Sequence, residues 1–389
     1  MTSEAKGQDL KEKEEPRTVE RKVHVVFDMT TARLLRTGGR VYADELANAL
    51  CEHSQYRVTC ISAKVPPRRL GVGTRIWNEV RHFVWIQAIL PLQLLWLRAD
   101  LVHVSSFNAP MLCPCPVVLT IFDTFYLDDQ PRRRKKLAAL AAAYSRFYIA
   151  ASVRRADAIC TVSNVSKSDI ESVYGIAPGR VHVTYNGVSD RYYPQSETQL
   201  AAIREKYCLS RPFFLFVGNF AVRKNLARLI EAFSIFRKDA SVDHQLILVG
   251  PQPLIDRTGV TERLQEPEIA AHVRSLGFVP DEDLPGIYAA CEAFAFPSLA
   301  EGFGIPIIEA MACGAPVIVS NSSCMPEVAG DAALYFDPRD PADMARAMKL
   351  VLRPDLRQEL KRKGLERARL FTWKNAALQT EKAYADALG

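Results

Sequence analysis

Short apolar runs alternate with amphipathic stretches along most of the chain. The apolar runs of the first half are RKVHVVF, YRVTCIS, ADLVHVSS, CPVVLTIFD and DAICTVS, and those of the second half are FFLFVG, QLILVG, EAFAFPS and APVIVS. Between them, stretches such as VYADELANALCEH and LARLIEAFSIFRK carry apolar residues at helical spacing. Strands that alternate with helices in this way predict parallel, doubly wound sheets. We therefore predict an α/β protein with two Rossmann-like domains that face a cleft.

Breaks in this alternation divide the chain into segments. Residues 1–20 are charged and polar and lack the apolar core of a signal peptide, which predicts a disordered tail. The first predicted domain covers 21–190 and the second covers 212–370. The polar stretch 191–211, with Pro194 inside it and Pro212 just after it, has the composition of an interdomain linker. A last amphipathic helix at 371–389 is a candidate to cross back to the first domain.

One long apolar stretch, from Arg75 to Leu97, does not fit the simple alternation. Its uncharged core of 15 residues starts at Phe83 and contains Pro91. This length is short of the roughly 20 residues needed to span a bilayer. A buried or interfacial helix pair is the favoured interpretation, and two placements stay equally open: on a membrane surface, with tryptophans and arginines at its edges, or as a core helix.

Composition and cysteine content favour a soluble globular protein in a reducing compartment. The chain of 389 residues is 48% hydrophobic and 24% charged. Nine cysteines without a C-x-x-C pair support neither a disulfide framework nor a zinc site. We therefore predict a cytoplasmic location and no metal centre.

Charge is unevenly distributed between the two halves. Residues 21–190 hold 22 basic and 13 acidic groups, a net of +9, whereas residues 191–389 hold 24 and 25, a net of −1. A basic half attracts anionic partners in general. An anionic membrane surface or a diphosphate-linked acceptor is the candidate partner here, and an ordinary solvated surface is the alternative.

The stretch SLAEGFGIPIIEAMACGAPVIVS, residues 298–320, concentrates unusual chemistry. Glu301 and Glu309 lie eight residues apart, around a glycine-bearing turn and a short helix that Pro306 starts and Gly314 ends. The start of such a helix suits phosphate or electron-rich oxygen. Two carboxylates suit hydroxyl groups instead, so we predict a ligand with both phosphate and polyol, as in a sugar nucleotide.

A second informative stretch is FLFVGNFAVRKN. Gly218 ends a predicted strand, and Arg223 and Lys224 precede a predicted helix. Two cations at that position would hold a diphosphate and stabilise it as a leaving group. A surface pair of basic residues is the alternative, and the nearby glutamate pair favours the diphosphate site.

Other candidate positions are weaker. Gly38 and Gly39 lie where a strand gives way to a helix, the place at which open α/β sheets bind ligands. His103 lies at a strand end and could face a cleft. The acidic cluster at 281–283 precedes a helix start, which favours N-capping over metal binding. The chain carries no P-loop, G-x-S-x-G, H-E-x-x-H or kinase signature.

With these motifs the chain resembles the large family of retaining glycosyltransferases of GT-B fold. The motifs that carry the resemblance are EGFGIPIIE with its E-x7-E spacing, VGNFAVRKN, YNGVSDRYYP and CMPEVAGDAALYFDP. The resemblance extends from Arg21 to Leu388 and is strongest from Phe213 to Asp340. It implies two Rossmann-like domains and metal-independent transfer of a hexose from a nucleoside diphosphate sugar, with retention at the anomeric carbon.

The resemblance also implies roles for single residues of the second domain. Glu301 would hold the hydroxyls of the transferred sugar, Glu309 those of the nucleotide ribose, and Arg223 and Lys224 the diphosphate. The turn that faces the donor would consist of Gly302, Phe303, Gly304 and Ile305.

In the first domain, the resemblance implies that Gly38 and Gly39 close over the diphosphate near the acceptor. One position departs from the family pattern, because Phe122 stands where family members commonly carry a histidine that contacts the donor sugar. A phenylalanine ring donates no conventional hydrogen bond. We expect the adjacent Asp123 to take over part of that polar role.

The prediction for the whole chain is a membrane-peripheral glycosyltransferase on the inner face of the membrane. It would transfer a hexose, with mannose as a candidate, to a lipid-linked or polysaccharide acceptor in cell-surface glycan synthesis. The donor would be a nucleoside diphosphate sugar, with GDP-mannose as a candidate, and no cofactor and no nucleic acid would be involved. Two alternatives stay open: an epimerase or phosphorylase of the same fold, and a catalytically impaired binding or scaffold protein, which Phe122 allows.

Overall fold

The structure is a computed structural model that describes residues 21–31, 38–63, 80–124, 136–240, 243–251 and 258–389. The predicted tail at 1–20 and the beginning of the long apolar stretch, before Val80, lie outside the described residues.

The first domain is built on a sheet of six parallel strands in the order β2-β1-β3-β4-β5-β6. These strands are β1 His24–Asp28, β2 Arg57–Ile61, β3 Leu101–Val104, β4 Val117–Thr120, β5 Ala158–Thr161 and β6 Val181–Val183. The helices between them are α1 Gly38–His53, α2 Val80–Leu97, α3 Lys136–Arg155 and α4 Asn164–Tyr174. Every residue of β1, β3, β4 and β5 is buried, as expected of a sheet that is covered on both faces.

The second domain repeats this architecture with the strand order β12-β11-β10-β7-β8-β9, again all parallel. Its strands are β7 Phe213–Val217, β8 Gln245–Val249, β9 Val273–Gly277, β10 Ala293–Phe296, β11 Val317–Ser320 and β12 Ala333–Phe336. Its helices, with the linker helix α5 before them, are α5 Glu197–Lys206, α6 Leu226–Ala240, α7 Val260–Arg263, α8 Pro267–Ala270, α9 Leu284–Ala290, α10 Ile305–Ala312, α11 Met325–Ala329, α12 Pro341–Val351, α13 Pro354–Ala368 and α14 Trp373–Leu388. The predicted fold class, with two doubly wound Rossmann-like domains, is confirmed.

The last helix, α14, leaves the second domain and packs on the first. Glu381 accepts hydrogen bonds from Ser54 Oγ at 2.5 Å and from the backbone N–H of Gln55 at 2.9 Å. The chain crosses over at Gly187, where an added Cβ would lie only 2.2 Å from the backbone nitrogen of Trp373. Only glycine tolerates so close a backbone approach, so this residue fixes how the two domains are joined.

Several local predictions can be compared directly with the structure. Ser163 caps α4 by accepting from the N–H of Ser166 at 3.1 Å. The acidic cluster does not cap α9, because the Asp283 carboxylate instead binds Lys206 Nζ at 2.7 Å and Tyr207 OH at 2.6 Å. All nine cysteines lie in the described ranges and none forms a disulfide.

The described part of the apolar stretch, Val80–Leu97, is one continuous helix, α2, so the predicted helix pair is wrong for these residues. The segment Trp85–Ile89 is π-helical, and Leu90–Leu97 continues as α-helix with Pro91 in its first turn. Proline lacks an N–H and clashes with the carbonyl four residues before it. The wider π turn before Pro91 relieves this clash, so the helix continues through the proline.

Candidate active site

The strand order of each sheet locates the place where a ligand would bind. In a doubly wound sheet, ligands bind at the carboxyl ends of the two strands where the winding direction reverses. In the second domain these strands are β7 and β10, which are hydrogen-bonded neighbours although two strands separate them in sequence. The loop after β7 carries Gly218, Arg223 and Lys224, and the loop after β10 carries Glu301. The two stretches that stood out in the sequence therefore meet at one sheet edge.

Glu301, Arg223 and Lys224 form an ion cluster at this edge. Glu301 Oε2 lies 2.7 Å from Arg223 Nη1, and Glu301 Oε1 lies 2.7 Å from Lys224 Nζ. The side chains of Glu301 and Lys224 are 8% and 10% exposed, whereas that of Arg223 is 38% exposed. The ammonium of Lys224 also lies 4.8 Å from the centre of the Phe296 ring. Two cations and one anion leave the cluster with a net positive charge.

The protonation equilibria of this cluster reflect burial and charge together. Burial acts to raise the pKa of Glu301, but the charges of Lys224 and Arg223 outweigh burial and hold this pKa below its usual value. Burial lowers the pKa of Lys224, and the charge of Glu301 opposes that effect. The cluster therefore needs its carboxylate, or another anion in its place, to keep the buried lysine charged.

Backbone contacts hold the Glu301 loop in place. The carbonyl oxygen of Glu301 accepts from Ser323 Oγ at 2.9 Å and from Cys324 Sγ at 3.1 Å. Asn225, whose φ is +59°, directs its side-chain amide to the carbonyls of Pro297 and Pro338, at 3.2 and 2.6 Å. The loops after β7 and β10 are thus bound to each other, which fixes the positions of the charged side chains.

Glu309 lies on α10 in a different environment. Its Oε2 accepts a hydrogen bond from the buried Tyr288 hydroxyl at 3.0 Å. Burial raises the pKa of Glu309 from 4.5 to about 7, although hydrogen bonds from Tyr288 and Tyr192 oppose the increase. The two glutamates of the E-x7-E spacing therefore differ in charge state near neutral pH, because the two cations beside Glu301 outweigh its burial, whereas the two hydroxyls beside Glu309 do not.

The turn before α10 has the conformation that the sequence indicates. Gly304 has φ +90°, and an added Cβ would lie 3.0 Å from Ile307 Cδ1. Gly314 has φ +74° just after the helix, where the chain turns into β11. Phe303 is buried among Tyr185 and Phe371, with ring centres 6.2 and 5.6 Å apart. Phe303 thus supports the turn by packing. In this arrangement its ring is not available to contact a sugar-nucleotide donor.

The first domain contacts this turn through its backbone. An added Cβ at Gly302 would lie 2.5 Å from the carbonyl oxygen of Phe122, and Ser166 Oγ donates to that carbonyl at 3.0 Å. An added Cβ at Gly38 would lie 3.6 Å from Ile305 Cδ1. Gly38 and Gly39 are the first described residues of α1.

Phe122 and the adjacent Asp123 follow β4 and lie at this contact. The Phe122 ring packs edge-on against Tyr42, with ring centres 4.9 Å apart and planes at 90°. A Cβ at Gly302 would lie 3.5 Å from Asp123 Cβ, so Asp123 is close to the donor-facing turn. The ring that replaces the histidine is therefore used for packing inside the first domain.

The assignment of His103 as a substrate contact is corrected by its position. His103 is fully buried in β3, with Nε2 bonded to Thr120 Oγ1 and Nδ1 to the Tyr384 hydroxyl, both at 2.7 Å. Burial lowers its pKa to about 3, so the ring is neutral. His103 joins β3, β4 and α14 and cannot reach a ligand. Within the described residues, no group of three or more metal-ligating side chains occurs.

Sequence reasoning missed Tyr288 and Tyr192, the two tyrosines around Glu309. Their rings contact each other with centres 6.1 Å apart. Tyr288 lies on α9 and Tyr192 lies in the linker, so no local spacing connects either residue to Glu309. Tyr192 is part of the YNGVSDRYYP motif, and this motif was the available signal for it.

Two facing Rossmann-like domains, with a charged cluster at the switch point of the second, define the class of GT-B proteins. The family model described as glycosyl transferases group 1 matches residues 202–367, and the model described as glycosyltransferase family 4 matches residues 36–192. The chain is 33% identical over 307 residues to the O-antigen chain mannosyltransferase RfbU of Salmonella typhimurium, covering 77% of this chain and 79% of that protein. The chain belongs to the group 1 glycosyltransferase family.

Other relatives match over a smaller part of their length. The chain is 36% identical over 235 residues to the O-antigen chain mannosyltransferase B of Escherichia coli, covering 60% of this chain and 61% of that protein. It covers only 29% of the serotype-specific mannosyltransferase WbdA of the same organism, at 32% identity.

Solved structures have the same fold at low sequence identity. The sucrose-phosphate synthase of Thermosynechococcus elongatus aligns with a TM-score of 0.72 at 20% identity, over 94% of this chain and 98% of that one. HepE of Anabaena, solved in complex with UDP and glucose, aligns with a TM-score of 0.69 at 18% identity, over 93% and 99%.

Proposed function

We propose that this protein transfers mannose from a nucleoside diphosphate mannose, with GDP-mannose as the first donor to test, to a growing surface glycan. The observation that carries the proposal is the ion cluster of Glu301, Arg223 and Lys224 at the switch point of the second domain. The sugar is supported by two O-antigen mannosyltransferases of 33% and 36% identity. The proposed acceptor is a polysaccharide or a lipid-linked precursor, and the names of these two relatives support a glycan acceptor.

The cluster suggests how a donor would be held. The diphosphate would replace the Glu301 carboxylate as the partner of Arg223 and Lys224, since the net positive cluster attracts an anion of higher charge. Glu301 would then be free to accept hydrogen bonds from the sugar hydroxyls. In this arrangement the fixed cations stabilise the negative charge that develops on the leaving diphosphate, and they supply the charge compensation without a metal ion. Retention at the anomeric carbon is part of the proposal and is supported by the family resemblance.

Glu309 would bind the ribose of the same nucleotide. A carboxylate accepts hydrogen bonds from two adjacent hydroxyls, whereas the protonated form offers a poorer acceptor. The Tyr288 hydroxyl already donates to one oxygen at 3.0 Å, which orients the carboxyl group. A cytoplasmic location at the inner face of the membrane follows from the proposed donor and acceptor.

The experiment is transfer of radiolabelled sugar from GDP-mannose, and from UDP-glucose in parallel, into a membrane and glycan extract. Stoichiometric transfer of mannose with release of GDP supports the proposal, and its absence with every acceptor fraction contradicts it. The label would remain on the nucleotide, in an altered sugar, if the protein were an epimerase. Donor binding without turnover would instead identify a scaffold protein.

Two variants test the ion cluster directly. Lys224→Ala should abolish most transfer. Lys206→Ala is the matched control, because it removes a lysine of the linker helix from another ion pair with an aspartate, 2.7 Å long. Transfer at the parental rate by Lys224→Ala would show that the cluster is only structural.

A further inference from the structure

The outward face of α2 is apolar over its whole length. This helix, Val80–Leu97, is long and apolar enough to cross a membrane by length and composition alone. Large apolar side chains point outward along it, with Leu92 66%, Leu95 60% and Trp96 82% exposed. Exposed apolar surfaces of this extent indicate an interaction site rather than an ordinary solvated face.

The opposite face of α2 is part of the core of the first domain. Trp85, Ile86, Leu90 and Leu94 are buried and belong to one apolar cluster with strand residues such as Val102. Removing the helix to span a bilayer would expose this cluster and disrupt the sheet. The helix is therefore suited to lie in the plane of a membrane surface.

The apolar surface extends beyond the helix, because Gln87 and Tyr148 connect α2 to its neighbours. Gln87 Nε2 donates to the Ala109 carbonyl at 2.9 Å, and Gln87 Oε1 accepts from the N–H of Met111 at 3.0 Å. The ring of Phe83 lies 5.9 Å from that of Tyr148 on α3. These contacts bring Leu112, 84% exposed, and Phe147, 73% exposed, next to the helix.

We call this surface the apolar shelf, and it consists of Phe83, Leu92, Leu95, Trp96, Leu112 and Phe147. Its charged surroundings are basic. Arg81 and Arg98 lie at the two ends of the helix and are exposed, and the sequence from residue 80 to residue 98 contains no acidic side chain. The sequence of α3 also contains no acidic residue.

Among the described residues, the acidic groups that follow α2 and α3 most closely are paired with arginines. Asp100 lies 3.4 Å from Arg21, and Asp157 lies 3.2 Å from Arg155. The shelf is thus apolar in its centre and positive at its edge, which matches a bilayer that carries anionic headgroups.

We propose that the apolar shelf docks this protein on an anionic lipid bilayer, with α2 lying in the interface and Trp96 and Leu112 inserted. Exposed tryptophan suits this depth because its ring is apolar and its N–H still reaches water or headgroups. A second copy of the chain is a poorer fit. Antiparallel pairing of two α2 helices would bring Arg81 of one copy to Arg98 of the other, with no acid between them.

The experiment measures binding of the full chain to vesicles of phosphatidylethanolamine and phosphatidylglycerol, and to neutral phosphatidylcholine vesicles, by flotation. We expect binding to the anionic vesicles that weakens in 0.5 M salt, because salt screens the arginine contacts. The variant Leu92→Glu/Trp96→Glu should bind at least about tenfold more weakly, since it places two charges at the centre of the shelf. Leu112→Glu should weaken binding to a smaller extent.

The matched control is Leu370→Glu, which introduces the same charge at a leucine that is 59% exposed in the second domain. It should bind vesicles as the parent does. All variants alter exposed side chains, so their thermal midpoints and their affinity for GDP should equal those of the parent. The GDP measurement separates this proposal from the proposed function, because either can fail without the other.

A second readout locates the inserted residue. In a Trp77→Phe background, brominated phospholipids should quench the tryptophan fluorescence of the bound protein, and Trp96→Phe in that background should remove the quenching, since the other two tryptophans, Trp85 and Trp373, are buried. Parental binding by Leu92→Glu/Trp96→Glu, or quenching that persists in Trp96→Phe, would overturn the proposal. A parent that is dimeric in solution, becomes monomeric in the double variant and ignores vesicles would overturn it in favour of a second copy.

Discussion

The two sides of the cleft use different chemistry. The second domain presents buried charges whose positions are fixed by loop-to-loop hydrogen bonds, with Glu301 held between Arg223 and Lys224. The first domain approaches with its backbone, through the Phe122 carbonyl, while the Phe122 ring packs against Tyr42 inside that domain. Charge that must stabilise a transition state needs rigid support, whereas a surface that closes over a ligand needs only shape. The second domain is therefore suited to stabilise charge in the transition state, and the first domain is suited to close over the ligand.

The largest expected effect comes from Lys224→Ala, which tests whether the charged side dominates. The variant leaves Glu301 buried with one cation instead of two, so we expect about 3 kcal/mol less stability, as for other broken buried pairs. Turnover with GDP-mannose should fall by about 100-fold or more, the usual cost of removing one group that stabilises developing charge. Chemical denaturation and steady-state kinetics measure the two effects.

Lys206→Ala, the matched control, should cost little because its ion pair is 57% exposed on the lysine side. A loss of stability without a loss of turnover in Lys224→Ala would show that this lysine acts only in folding.

The next effect concerns the pH dependence that separates Glu309 from Glu301. The pKa of Glu309 is raised from 4.5 to about 7, so the folded state holds a proton that the unfolded state has released between these values. The stability contributed by this proton is fully present below pH 4.5 and is lost as the pH rises through 7. The loss amounts to about 3 kcal/mol.

Glu309→Gln removes this titration. Denaturation at pH 5 and pH 8 should show that the parent loses about 2.5 kcal/mol more than the variant over this interval. Donor affinity should rise with pH in the parent, because the ribose hydroxyls donate to the carboxylate, and should be independent of this group in the variant. Equal pH dependence of stability and of donor affinity in the parent and in Glu309→Gln would contradict the assigned titration of Glu309 and its contact with the ribose.

A steric test addresses the contact between the domains. In Gly302→Ala the new methyl group would lie 2.5 Å from the Phe122 carbonyl oxygen, so the domains must separate slightly. We expect a loss of about 1–3 kcal/mol from overpacking and a lower turnover, since the two sides of the cleft no longer meet. The control is Gly179→Ala, because an added Cβ there contacts nothing within 4 Å. Parental turnover in Gly302→Ala would show that this contact is not needed for activity.

The fold was predictable from the sequence because its strands are short apolar runs, and the helices between them carry apolar residues at clear helical spacing. The β7 and β10 loops were predictable for the same reason, since strand ends carry Gly218 and Glu301. The bond between Arg223 and Glu301 joins residues 78 positions apart, and no local pattern encodes which partner a buried carboxylate finds. The pairing of Arg223 with Glu301 therefore depends on tertiary structure.

Other features depended on the direction of a side chain, which position in a strand does not reveal. His103 lies near the end of β3, but its ring points into the core between Thr120 and Tyr384. Asp283 precedes a helix, but Lys206 and Tyr207 from the linker bind its carboxylate more favourably than the helix N–H groups do. In α2, the π segment that accommodates Pro91 has no sequence signature of its own.

The smallest expected effect, and the most direct comparison of the two sides, comes from Phe122→His. The substitution restores the side chain that the family commonly carries, but it weakens the edge-on packing against Tyr42, which contributes about 1 kcal/mol. If the charged cluster of the second domain supplies most of the transition-state stabilisation, turnover should change by less than about threefold, equivalent to 0.7 kcal/mol. Phe122→Leu is the control for lost packing without a new hydrogen-bonding group. A gain of tenfold or more in Phe122→His alone would show that the first domain normally contributes a polar contact to the sugar, and that the chain carries out the reaction with that contact missing.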